Sequence, residues 1–85
     1  MKLKEAIWNV QLMSNPVKDK PGLLFTEGNG ITKISIRDMS GKTIYNQQLQ
    51  NAEGLISLPV TLQRGFYIIS VINNNQRKSI KFVKD

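Results

Sequence analysis

Along most of this chain, apolar side chains recur at every second position, and the runs are broken by clusters of Gly, Pro, Asn and Ser. No long segment carries the 3.6-residue period of an amphipathic helix. A period of two means that each run must lie extended, with one face on a core and the other turned away. That pattern predicts seven short strands: Trp8–Met13, Leu23–Thr26, Ile31–Met39, Thr43–Gln50, Leu55–Leu58, Phe66–Asn73 and Gln76–Lys84. The breaks are chemically distinct. Ser14-Asn15-Pro16 through Pro21-Gly22 cannot lie inside a central strand, because Pro lacks an amide donor. Glu27-Gly28-Asn29-Gly30, Asn51-Ala52-Glu53-Gly54 and Asn73-Asn74-Asn75 offer residues that tolerate the left-handed region. Ser40-Gly41-Lys42 predicts a tight hairpin.

The sixth run is the most apolar. Tyr67, Ile69 and Val71 share one face, and Phe66, Ile68 and Ile72 share the other. In the seventh run, Ile80 and Phe82 alternate with Lys81 and Val83. Strands this short, with turn signals every ~8–12 residues, predict an all-β, immunoglobulin-like antiparallel β-sandwich. A local feature agrees. Leu62-Gln63-Arg64-Gly65-Phe66-Tyr67 has the form L-x-x-G-x-Y at the start of the sixth strand, the setting of a tyrosine corner. There Tyr67 would bond nearby backbone, Gly65 would permit the tight approach and Leu62 would plug the core edge. A small closed barrel is the alternative, and it needs the first and last strands to pair.

The chain has 85 residues, enough for one core. A domain of this size buries only ~60–65% of the surface its unfolded chain exposes. Residues 1–9 are expected to lead as a linker into the first strand, and 10–85 to form the domain. Cysteine and histidine are both absent, which excludes disulfides, thiolate metal sites and Ser/His/Asp or Cys/His catalysis. The acids Glu5, Asp19, Glu27, Asp38, Glu53 and Asp85 are scattered, mostly at strand ends and turns. Asp38 therefore reads as a turn residue rather than a catalytic acid. Glu27 and Asn29 lack the dense, alternating oxygen ligands of a calcium loop. Neither an enzyme activity nor a cofactor is expected.

The net charge is +6, and Arg77, Lys78, Lys81 and Lys84 crowd the last strand. Such a basic end suits phosphate, anionic lipid headgroups or an acidic protein surface, or it is simply a solvated face. Met1-Lys2-Leu3-Lys4 is not followed by the apolar run of a secretory signal, and no stretch approaches the ~20 apolar residues that span a bilayer. A stand-alone carbohydrate- or protein-binding module is the second functional class, with Trp8, Tyr45 and Tyr67 as the aromatic candidates. Nucleic-acid binding is motivated by charge alone. Single-strand binders interleave basic residues with exposed aromatics; the chain has six aromatics, and those on the strongest strands have core-like spacing, so no nucleic acid is expected as a partner.

Three motifs stand in order along the chain. Asn15-Pro16-Val17-Lys18-Asp19-Lys20 comes first. Ile34-Ser35-Ile36-Arg37-Asp38-Met39-Ser40-Gly41-Lys42 follows, with an apolar pair, Ile44-Tyr45. Leu62, Gly65, Tyr67 and Val71 lead into Lys81-Phe82-Val83-Lys84. In this order and spacing the chain resembles the type A C-terminal sorting domain of the type IX (Por) secretion system of Bacteroidetes. It differs in having Ser14 where the family usually has Pro, and in the Pro21-Gly22 that precedes the second strand. The resemblance implies a non-catalytic address label at the end of an N-terminal cargo protein. The cargo would enter the periplasm by a separate signal, be read by the outer-membrane translocon, be processed by a sortase-like protease, and reach the cell surface or the medium. Asn15, Pro16, Asp38, Gly41, Lys42, Leu62, Gly65, Tyr67 and Val71 would then be family-motif residues. Arg77, Lys78, Lys81, Val83 and Lys84, on a terminal strand at a sheet edge, would form the translocon-facing surface. Open sheet edges would also let copies pair strand to strand as a homodimer.

Overall fold

The computed structural model describes residues 9–26 and 30–85. Trp8 and the turn expected around Glu27, Gly28 and Asn29 lie outside the described residues. The strands are β1 (Val10–Leu12), β2 (Gly22–Phe25), β3 (Ile31–Asp38), β4 (Thr43–Gln50), β5 (Gly54–Ser57), β6 (Gly65–Asn73) and β7 (Gln76–Lys84). The expected strands agree with these to within a residue or two, apart from the first, whose start at Trp8 lies outside the described residues.

All pairings between strands are antiparallel and form two sheets, β1-β2-β5 and β4-β3-β6-β7. The chain changes sheet between β2 and β3, between β4 and β5, and again between β5 and β6. This is an immunoglobulin-like sandwich with the fourth strand added beside the third. Among the described residues β1 and β7 do not pair, so the structure is an open sandwich and not the closed barrel.

The alternation explains the packing. Val10, Leu23 and Phe25 from the smaller sheet meet Ile34, Ile36, Ile69, Val71 and Phe82 from the larger one, and all are buried. Burying each such side chain contributes ~1.5–3 kcal/mol. Thr32 is also buried on this inner face, where its Oγ1 accepts a 2.8 Å hydrogen bond from the Asn73 side-chain amide. Ala52, Leu58 and Leu62 close the ends of the core from the connections.

The turns form where residue chemistry allows. Asn51 (φ 53°) and Gly54 (φ 79°) turn the chain out of the larger sheet, and Asn74 (φ 56°) turns it between β6 and β7. The β3–β4 hairpin is built on Asp38. Its Oδ1 accepts bonds from the Ser40 amide (3.0 Å), the Ser40 hydroxyl (2.6 Å) and the Lys42 amide (3.0 Å). Gly41 sits at φ 92°, where other residues are strained.

Candidate functional site

The tyrosine corner forms as its sequence predicts. The Tyr67 hydroxyl donates a 2.6 Å bond to the carbonyl of Gln63. Its ring stacks on Phe82 of β7 at 5.6 Å between centroids. Leu62 is buried beside it, and Gly65 takes φ 153°. The corner therefore holds β6 and β7 together from the inner face. Val71, further along β6, is part of the same core.

The Asn15-Pro16 element reaches the same hairpin from the edge. Asn15 and Pro16 are joined by a cis peptide bond. The Asn15 carboxamide accepts from the Val83 amide (3.1 Å) and reaches the Lys81 carbonyl (3.5 Å). Val17 then bridges Lys84 in parallel: its amide donates to the Val83 carbonyl (2.7 Å), and its carbonyl accepts from the Asp85 amide (2.8 Å). Buried Val17 anchors this clamp in the core. β7 does lie at a sheet edge, as the basic-strand reading expects. Its edge from Lys81 to Asp85 is closed by residues 15–17. Among the described residues, the backbone left open on that edge is confined to Arg77–Lys81.

The five residues expected to face a translocon do not lie on one surface. Alternation along β7 puts Arg77, Lys81 and Val83 on the outer face of the larger sheet and Lys78 and Lys84 on the other side. Lys78 donates a 3.0 Å bond to the Asn9 side chain, and Lys84 bonds the Asp85 carbonyl at 3.0 Å. These two ammonium groups are held by the chain itself. Asp85 also meets Lys18 in an exposed ion pair at 3.8 Å.

The register adds residues that the sequence motifs do not mark. β6 lies between β3 and β7, so three rungs cross the outer face: Arg37–Ile68–Lys81, Ser35–Ser70–Ser79 and Lys33–Ile72–Arg77. Phe66 opposite Val83 continues the face beyond the first rung. Lys33 and Arg37 thus join Arg77 and Lys81. The signal for them is the period of two in Lys33-Ile34-Ser35-Ile36-Arg37, in which the residues between the buried isoleucines share the outer face. Knowing that this face adjoins β7 requires the strand order.

Phe66, 64% exposed, and Met39, 62% exposed, mark the apolar end of this face. With Asn15, Lys81 and Val83 they border an open cleft of about 310 Å³. Ile68 and Ile72, on the same face as Phe66, are half-buried. Of the aromatic candidates for a sugar platform, Trp8 lies outside the described residues. Tyr67 is committed to the corner, and half-buried Tyr45 donates its hydroxyl to Gln47. Burial raises the Tyr45 pKa above that of an ordinary tyrosine.

No curated protein and no solved structure matches the chain. The family model for the secretion system C-terminal sorting domain matches residues 13–85, which span the Asn15-Pro16 clamp, the Asp38 hairpin, the tyrosine corner and the last strand. The chain therefore belongs to the type IX secretion system C-terminal sorting domain family, whose members act as secretion sorting signals and are in general not catalysts.

Proposed function

We propose that this domain directs a cargo protein ahead of it through the outer-membrane type IX translocon, and that the outward-facing residues of β7 are what the translocon reads. The observation that carries this is the separation of labour within β7. Phe82 and the Asn15–Val17 clamp hold the strand in place, while Arg77, Lys81 and Val83 are on the outer face, with Val83 opposite exposed Phe66. A signal read by shape needs such a strand, rigid on one side and accessible on the other. Removal by a sortase-like protease and release to the cell surface or medium follow from the same reading. The proposed limits are residues 10–85 for the sorting domain and 1–9 for the linker to the cargo.

The edges also differ in what they offer another copy. Of the larger sheet's two edges, β7 is half closed and cationic, whereas β4, Thr43–Gln50, carries no charge and among the described residues pairs with β3 alone. Strand pairing into a homodimer would therefore use β4.

The test is a periplasmic reporter carrying this chain at its C-terminal end in a host with a type IX system. Delivery of the reporter to the cell surface, lost when the host lacks the translocon, is the expected result. A fusion that stays periplasmic in the competent host refutes the proposal.

A further inference from the structure

The outer face of the larger sheet is a trough. Its floor is the central strand β6, where Ile68 and Ile72 are half-buried and Ser70 between them is 8% exposed. Its walls are Lys33 and Arg37 on β3 and Arg77 and Lys81 on β7, all exposed. Among the described residues none of these four cations has an ion-pair partner, and no carboxylate stands on the three rungs. The trough opens at one end onto the apolar cleft beside Phe66 and Met39. Two strand spacings separate the walls by ~10 Å, and the four residues between charged rungs span ~13 Å.

We propose that this trough docks an acidic amphipathic helix of a partner protein. The inference rests on the reading of this face as a recognition surface, and it adds the chemistry of the partner. A helix is ~10 Å across with its side chains, which matches the distance between the walls, and ~9 of its residues cover the distance between charged rungs. Apolar side chains at i, i+3, i+4 and i+7 would lie on Ile68 and Ile72, and about two further turns would carry the same stripe to Phe66. Carboxylates on both flanks would meet Arg37 and Lys33 on one side and Lys81 and Arg77 on the other.

The geometry favours a helix over other anionic partners. The backbone groups of β6 are spent in ladders to both neighbours, so an extended segment laid on this face would leave its own backbone unpaired. A helix arrives with those bonds made. A bilayer surface would have to reach apolar groups recessed behind four charged side chains. Single-stranded nucleic acid stacks successive bases on aromatic platforms, and among the described residues this face offers Phe66 alone, at its end.

The test uses the intact chain and a labelled helical peptide of ~15 residues with leucine along one face and glutamate on both flanks. A second peptide has lysine in place of each glutamate. The glutamate peptide should bind by fluorescence anisotropy and shift the amide resonances of Lys33, Arg37, Ile68, Ile72, Arg77 and Lys81, and the lysine peptide should do neither. Lys33→Glu with Arg37→Glu should weaken binding ~10-fold, since it turns two surface attractions into two repulsions. Ile72→Lys, which places a charge on the floor, should weaken it independently. Equal binding of both peptides, or unchanged binding by the folded variants, would overturn the proposal. So would occupation of the same residues by phosphatidylglycerol vesicles or oligo-dT but not by the glutamate peptide. The chain's failure to bind the peptide while it still delivers a reporter would sink this inference alone, and binding without delivery would sink the sorting reading alone.

Discussion

Tyr67 and Asn15 hold the same hairpin from two directions. The Tyr67 hydroxyl bonds the Gln63 carbonyl across a turn while its ring rests on Phe82. Tyr67→Phe removes the bond and keeps the ring, so it should cost about 1 kcal/mol and lower the melting temperature by ~4–8 °C. Phe82→Ala should cost ~3–5 kcal/mol through lost burial and the cavity left behind. Against a total stability of roughly 5–15 kcal/mol, that leaves the domain near unfolding in thermal or urea titrations. Asn15→Ala should cost about 1–2 kcal/mol and speed amide exchange at Val83, whose partner it removes, with little effect at Ile69 in the core. Equal acceleration at both amides would mean that Asn15 supports the whole fold and not the edge of β7. The corner was legible in the sequence because L-x-x-G-x-Y is local. The clamp was not, because Asn15 and Val83 meet only after the chain has crossed between sheets three times.

The β3–β4 hairpin is organised by one carboxylate. The bond from the Ser40 hydroxyl is the main cause holding the Asp38 pKa below its ordinary value; desolvation, second in size, opposes it, and the backbone bonds from Lys42 and Ser40 and the charge of Lys42 lower it further. A lowered pKa in the folded state means that ionised Asp38 favours folding above the usual aspartate value of ~3.9, and that this contribution is lost as pH falls through the lowered value. Asp38→Asn should therefore lower the melting temperature at neutral pH and flatten its decline below pH ~4. An unchanged acid limb would show that other carboxylates set it. At this scale the turn chemistry and the period of two located nearly every strand, because both are properties of consecutive residues. The half-burial of Ile68 and Ile72 was not legible, since it depends on β6 lying between β3 and β7 in the sheet.

At the scale of the molecule, a charge of +6 is divided by strand alternation and not by position in the chain. The cluster Arg77, Lys78, Lys81 and Lys84 looks continuous in sequence. In the fold, Lys78 and Lys84 are bonded within the domain, while Arg77 and Lys81 share a face with Lys33 and Arg37. The composition therefore indicated a basic surface without indicating which residues compose it. Antiparallel register supplies that information, by bringing β3 and β7 to the two sides of β6. The most direct measurement is secretion of a reporter fused to this chain, comparing Arg77→Glu/Lys81→Glu with Lys78→Glu/Lys84→Glu, each variant checked for folding by circular dichroism. The first pair should leave the reporter in the periplasm, and the second should deliver it to the surface at near wild-type levels. Normal delivery by a folded Arg77→Glu/Lys81→Glu variant would contradict the account.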